Sequence, residues 1–341
     1  PQKASGYGDQ QDMLTLPRAE QAAHFAPGFG PASILTVDTE EGFDWDKPFT
    51  RDQHDLTHVG RIVRFQSFCE GLGVSPVYLV DWPIVQSAQA REIIGDAVSR
   101  GAAEVGVQLH PWVNPPFDEE VNTHNSFAGN LPPDLERAKF SKLRDAIEEA
   151  FGAPPMIYRA GRYGLGPATK ALLHETGVVI DSSVRALYDY SPGSGPNYEA
   201  FPNRPYWISR EPPLLELPLT TVYRGALARH GAALFPRLAR LPYGAGLAAR
   251  TGLLERIALT PEGTPLASAI EAVDTALADG LPLLVLSFHS PSLAPGNTPY
   301  VRTQRDLDDL FAWLRGVYAH LAAKGVAPTT VAKTWVAAQH A

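Results

Sequence analysis

The sequence predicts an α/β fold built on a parallel sheet, and three observations carry that expectation. Short apolar, β-branched runs alternate with helical segments from Ile34 onward. The chain has 341 residues, 44% of them hydrophobic, which is enough to bury a large core. Charged and aromatic residues cluster just past the ends of the apolar runs, where parallel sheets and barrels keep their chemistry. Alternation alone does not separate an open sheet from one closed into a barrel.

Residues 1–30 are polar, then rich in Gly and Pro, and read as an N-terminal tail laid over the surface. The remainder, 31–341, is expected to form one domain. Its first strand is 33–38, a β-branched run ending at Asp38, and the second is 75–80, Ser-Pro-Val-Tyr-Leu-Val. Further strands are expected at 104–110, 156–160, 178–183, 214–218, 283–288 and 329–332. Between them 57–72, 133–151, 166–176, 266–279 and 303–323 read as helices. In the last, Leu307, Leu310, Phe311, Leu314, Tyr318 and Leu321 share one face at helical spacing. Two stretches interrupt the alternation and read as insertions. Residues 185–213 are rich in Pro, Gly, Tyr and Trp, as an ordered cap over one end would be. Residues 222–260 carry six arginines and one glutamate among Leu and Ala, either a basic surface for a partner or a solvated helical excursion.

The formal charge of −8, with no Lys/Arg-rich run, argues against a nucleic-acid groove. The single cysteine, Cys69, sits in a helical pattern with Val59, Ile62, Val63 and Leu72 and reads as core, so no disulfide framework exists within one chain. No apolar run reaches membrane-spanning length and no signal peptide is visible. The expectation is a cytoplasmic protein, although a start at Pro1 is also compatible with a removed leader.

The densest chemical signal is Val37-Asp-Thr-Glu-Glu-Gly-Phe-Asp-Trp45. It crowds Asp38, Glu40, Glu41 and Asp44 into seven residues at the end of a strand. Like charges this close repel, so a metal ion, a basic partner or open solvent must relieve them. Four more islands sit at expected strand ends. These are Gln108-Leu-His110-Pro-Trp112, Arg159-Ala-Gly-Arg162-Tyr163-Gly, Asp181-Ser-Ser and Leu286-Ser-Phe-His289. Singly, each has a plain structural reading as a salt bridge, a turn or a satisfied histidine. Together they would converge on one rim of a parallel barrel.

In this order the islands resemble the motifs of the polysaccharide deacetylases, carbohydrate esterase family 4 with its nodulation-type deacetylase domain. The resemblance runs from about Ile34 to about Trp335. It implies a distorted (β/α)7–8 barrel with parallel strands, and hydrolysis of N- or O-acetyl groups on the sugars of a polysaccharide or glycan. The implied partner is an acetylated saccharide, and the setting is bacterial polysaccharide synthesis or modification. The implied cofactor is a divalent metal, zinc first, with nickel or cobalt as alternatives. By the resemblance Asp38 is the catalytic base and Glu40 a metal ligand. Arg159 orients the base, the turn at Tyr163 offers an oxyanion donor, Asp181 tethers an arginine, and His289 is the general acid. Arg162, Trp45, Trp112 and Trp207 are placed to meet the sugar.

One motif departs from the family's pattern. Where His-x-x-x-His is usual, this chain has Gln108-Leu-His110-Pro-Trp112. An amide is a poorer zinc ligand than imidazole. His110 can still bind, and His124 in the following loop is the candidate for the missing partner, giving a Glu40, His110, His124 site with an open position for water.

Rival readings follow from the same residues. Gln108 favours a relative that keeps the barrel and binds glycan without cutting it. A small closed pocket would favour another amide, such as a cyclic ureide. A Ser-His-Asp esterase lacks its Gly-x-Ser-x-Gly elbow, and Gly161-x-x-Gly164-x-Gly166 serves a tight turn as well as a phosphate loop.

Overall fold

A computed structural model describes residues 12–44 and 47–341 of the chain. Eleven strands occur among them: β1 Ala32–Thr39, β2 Val77–Val80, β3 Glu104–Leu109, β4 Ile157–Ala160, β5 Ile180–Asp181, β6 Tyr206–Arg210, β7 Pro213–Glu216, β8 Thr221–Arg224, β9 Glu255–Ala258, β10 Leu283–His289 and β11 Ala327–Pro328. The main sheet runs β10-β1-β2-β3-β4-β5-β7-β6, with β11 also beside β1. Every pair is parallel except β6–β7. The sheet curls into a half-barrel. Between β7 and β10 no ladder forms; the Thr220 hydroxyl accepts from the Val285 N–H at 2.8 Å, and the Ser287 N–H donates to the Leu259 carbonyl at 3.2 Å. This is a distorted (β/α) barrel, the fold class the sequence predicts.

Strand side chains alternate between faces, and here the alternation sets the chemistry. Inward positions at the strand starts are apolar: Ile34, Val77, Leu79, Ile157, Ile180 and Val285 form one buried cluster. Two or four residues further on, the same inward face carries Thr36, Asp38, Arg159, Ser182 and Ser287. The outward positions Leu35, Val37, Tyr78, Val80, Leu109, Tyr158 and Leu286 pack in a second cluster with the surrounding helices. The interior is therefore apolar at the bottom and polar at the rim where the strands end.

The helices are α1 Ile62–Gly71, α2 Trp82–Gln86, α3 Ala88–Ser99, α4 Pro133–Phe151, α5 Thr169–Thr176, α6 Gly231–Ala239, α7 Gly244–Arg250, α8 Leu266–Ala278, α9 Gln304–Ala323 and α10 Val331–Gln339. The expected strand at 329–332 is not one. Thr330 caps α10 there, its hydroxyl accepting from the Lys333 N–H at 3.2 Å, and the strand is the two-residue β11 just before it. Phe25 and Phe29, stacked at 4.6 Å, pack against the interior cluster, so this part of the N-terminal segment is tied to the barrel. Within 222–260, α6 and α7 are bracketed by the antiparallel pair β8–β9, with a small core of Phe235, Ala248 and Leu254. Of its arginines, Arg224 is spent on Glu255 and Glu271. No helix among the described residues is long and apolar enough to cross a membrane.

Candidate active site

The rim of the barrel opens on a cavity of about 290 Å³ lined by Asp38, Glu40, Gln108, His110, Arg159 and His289, with Phe43, Phe49, Trp112, Tyr163, Tyr190 and Tyr300 as aromatic walls. Four sequence-distant strand ends thus meet, those of β1, β3, β4 and β10; the Asp181 island does not line the cavity.

Asp38 ends β1 facing inward, buried to 2% exposure. One carboxylate oxygen, Oδ1, receives Arg159 Nη1; the other, Oδ2, lies 3.7 Å from His289 Nε2. Arg159 is itself fully buried on β4. Its remaining donors reach the Ser182 carbonyl (2.8 Å), Ser287 Oγ (2.9 Å), Thr36 Oγ1 (3.0 Å) and Ser182 Oγ (3.1 Å). A guanidinium with five fixed donors so engaged cannot swing, and it holds Asp38 in one orientation.

His289, at the end of β10, has Nδ1 at 2.6 Å from Glu262 Oε2, and its backbone N–H donates to Glu262 Oε1 at 3.2 Å. That contact fixes the ring so that Nε2 faces Asp38 and the cavity. Burial alone would push the imidazole down, but Glu262, then Glu40 and Asp38, outweigh it and raise its pKa to about 10. Glu262 escaped the sequence reading because it lies in the turn Thr260-Pro-Glu-Gly-Thr, with no strand pattern around it.

Asp181 is not the arginine tether. It faces outward on β5, opposite in parity to Ile180 and Ser182, and bonds to Ser183 Oγ at 2.6 Å. Its neighbour across the sheet is Glu216, and burial raises both carboxyls, Glu216 well above the ordinary range. The tether is Ser182, one residue on, through both its carbonyl and its hydroxyl.

Glu40 is buried beside Asp38. Burial, against the pull of His289 and His110, raises its carboxyl to about 8. Its Oε2 lies 3.3 Å from the Gln108 amide nitrogen and 3.4 Å from His110 Nε2. Behind it, His110 Nδ1 meets Glu41 Oε2 at 3.0 Å and Asp81 Oδ2 at 3.8 Å. Glu41, Asp81 and His110 form a buried group able to hold a metal ion, the one such Glu/Asp/His group found among the described residues. Its oxygens are nonetheless occupied. Asp81 accepts from the Ile84 and Glu41 N–H groups at 3.0 and 2.9 Å, and Glu41 Oε1 accepts from the Trp112 indole at 2.8 Å. The group reads as the carboxylate support that aims His110 Nε2 at Glu40 and the cavity.

The donor set facing the cavity fits a divalent ion. The 3.3 and 3.4 Å separations are long for hydrogen bonds. They are close to the roughly 3.3 Å edge of a tetrahedral shell with bonds of about 2.0–2.1 Å. Gln108 Oε1 is buried with no hydrogen-bond partner, and turning the amide over would bring that oxygen to Glu40.

His124 does not join them. It is exposed, on a turn where its carbonyl accepts from Asn130 Nδ2 at 3.0 Å and the Asn122 side chain accepts from the Asn125 N–H. Trp207 is not at the cavity either: it is buried in the interior cluster, edge-on to Trp335 at 5.8 Å. Trp112 does line the cavity, stacked on His110 at 4.3 Å. Trp45 lies outside the described residues.

Arg162 and Tyr163 follow β4 with φ of 55° and 61°, a left-handed conformation unusual for residues with a Cβ. Gly161 permits it, because a Cβ there would meet the Leu109 carbonyl at 2.4 Å and His110 Cδ2 at 2.5 Å. The turn therefore sits directly against His110 at the cavity wall.

No protein-family profile and no curated protein matches the sequence. Solved structures do match. A Mycobacterium smegmatis protein provisionally assigned as a polysaccharide deacetylase aligns over 93% of this chain and 98% of its own, at 18% identity and TM-score 0.47. The 4-α-glucanotransferase of Thermococcus litoralis aligns over 90% of this chain and 40% of its own, at 10% identity and TM-score 0.51. An allantoinase aligns over 92% of this chain and 91% of its own, at 16% identity and TM-score 0.49. Polysaccharide deacetylases stand among the solved structures that align with it. At these identities the likeness is one of fold, and the chemistry has to come from the site.

Proposed function

We propose that the protein is a hydrolase that removes acetyl groups from a saccharide, with zinc as the expected ion. One observation carries the reading: Asp38 is held by Arg159 on one oxygen and faces His289 with the other, while His289 rests on Glu262. That is a base and an acid, each oriented by a third group, at the mouth of one cavity.

In this reading Asp38 Oδ2 takes the proton of the attacking water while Arg159 keeps Oδ1 in place. The backbone N–H groups of the Arg162–Tyr163 turn face the oxyanion. His289, charged at neutral pH, gives its Nε2 proton to the leaving amine or alkoxide, and Glu262 stabilises the charged ring until it does. Trp112, Tyr163 and Tyr190 bound the space for the sugar. Glu40, His110 and the Gln108 amide oxygen would hold the ion, which when bound polarises the acetyl carbonyl and acidifies water.

Acetate release from acetylated oligosaccharides, measured after reconstitution with zinc, nickel or cobalt, tests the proposal. Release that Asp38→Asn abolishes supports it; no release with any of the three ions sinks it. Gln108 favours a second reading, a glycan binder that does not cut, which predicts oligosaccharide binding without acetate.

A further inference from the structure

The cleft is more cationic than its chemistry needs. Of the cations that line it, Arg159 is matched by Asp38 and His289 by Glu262. Arg162 and Arg185 also line it, and no described carboxylate lies within 4.0 Å of either guanidinium. The chain as a whole has a formal charge of −8, so unpaired arginines in this cavity run against its overall balance.

Both are held side-on. The Arg162 guanidinium lies over the Phe127 ring at 4.1 Å and the Phe49 ring at 5.0 Å, and its Nη1 donates to Ser126 Oγ and, at 3.4 Å, to the Thr123 carbonyl. The Arg185 guanidinium lies over Tyr188 at 4.0 Å and Tyr163 at 5.6 Å, and its Nη1 donates to the Tyr190 hydroxyl at 3.4 Å. Arg185 Nε is buried with no hydrogen-bond partner. Aromatic faces fix a guanidinium's plane and leave its edge, a rigid fork of donors, for a planar or tetrahedral anion. Arg185 opens the first insertion, and Arg256 of the second lies over the same Tyr188 ring at 3.5 Å, so both insertions brace this wall.

We propose that the saccharide bears an anionic group, a carboxylate or a phosphate, and that Arg162 and Arg185 receive it beside the acetyl group to be cleaved. This rests on the deacetylase reading for the nature of the substrate but not for its test. The test is calorimetric titration with three ligands on one scaffold: N-acetylglucosamine, its 6-phosphate and its 6-carboxylate. They are titrated into the wild-type protein and into Arg185→Met, Arg162→Met and Arg185→Lys. Either anionic sugar should bind at least about tenfold tighter than the neutral one, about 1.4 kcal/mol, and weaken with added salt. Arg185→Met should erase that preference, read as the ratio of anionic to neutral affinity, and Arg185→Lys should restore part of it. Which anion wins separates carboxylate from phosphate. Equal binding of all three, binding of none, or a preference that survives both methionine variants overturns the proposal. Tight anionic binding without acetate release would sink the deacetylase reading and leave this one standing; acetate released equally well from all three sugars, bound equally, would do the reverse.

Discussion

On one side of the cleft Asp38, Arg159, His289 and Glu262 form a continuous chain of contacts, whereas on the other Glu40, Gln108 and His110 stand apart with an amide oxygen unpaired. Both sides gather where the strands end, and most of their side chains are buried. They differ in what completes them. The first is satisfied by protein groups alone: a cation for each carboxylate, a carboxylate for the histidine, serines and a threonine for the spare guanidinium donors. The second is satisfied only behind His110, where Glu41 and Asp81 are fully engaged, and is left unfinished toward the cavity. The Asp38–Arg159 and His289–Glu262 contacts are complete within the folded chain, whereas the Gln108 amide oxygen on the facing side has no partner.

The largest effect should come from breaking the finished side. Asp38→Asn keeps the shape but cannot take a proton, and Arg159 then faces an amide. Acetate release should fall about 10³-fold, with sugar binding little changed. A fall in binding instead of turnover would make Asp38 a substrate ligand and remove it from the chemistry.

The unfinished side is sharpened by Gln108→His, which supplies an imidazole where the amide stands. Zinc affinity, measured by competition with a chromogenic chelator, should rise by more than about tenfold, or about 1.4 kcal/mol. Unchanged affinity would place any bound ion behind His110, with Glu41 and Asp81, and make Gln108 a spectator.

How much of this contrast was legible in the sequence follows from the same geometry. Asp38, Arg159 and His289 were readable because each ends an apolar run, and strand ends meet wherever a parallel sheet curls. Asp81, at the end of Val77–Val80, obeyed the same rule and was passed over only because no motif drew attention to it. Asp181 was misread because a strand end fixes position and not face: one residue of parity turns its carboxylate outward and gives Ser182 the inward role. Trp207 failed the same way, as an aromatic in a strand that packs inward on Trp335. Glu262, Arg185 and His124 depend on loops, whose paths come from turn chemistry and tertiary contacts that periodicity does not carry. The strand expected at 329–332 lost to a local signal, the Thr330 cap.

A smaller effect separates the two supports of His289. Glu262 does most to hold its pKa at about 10. A general acid works only while protonated, so activity is lost as pH rises through that value. Glu262→Gln should bring the alkaline limb of kcat/KM down by at least about one unit, with activity at pH 6 much less affected. The stability sign agrees: a histidine raised above its unfolded value stabilises most below about pH 6.5, and that contribution disappears as pH climbs through 10. An unmoved alkaline limb would mean that His289 is not the group titrating there.

The effect farthest from the chemistry lies behind both halves, at His58. Its ring is fully buried, and Ser290 Oγ sits 3.0 Å from Nε2 while accepting the Glu40 N–H at 3.3 Å. Burial lowers the His58 pKa to about 4, so the ring packed on Ser290 is neutral at neutral pH. The sign is opposite to that of His289. The unfolded chain takes up the proton near pH 6.5 and the folded one does not until about 4, so stability is complete above 6.5 and falls as the pH drops toward 4, by on the order of 3 kcal/mol at most. Urea unfolding at pH 7, 5.5 and 4.5 should show that loss in the wild type and a flatter dependence in His58→Leu, since leucine has no proton to take up. Parallel slopes in the two proteins would mean that the carboxylates of the cleft, and not the histidine beneath Glu40, set its acid limit.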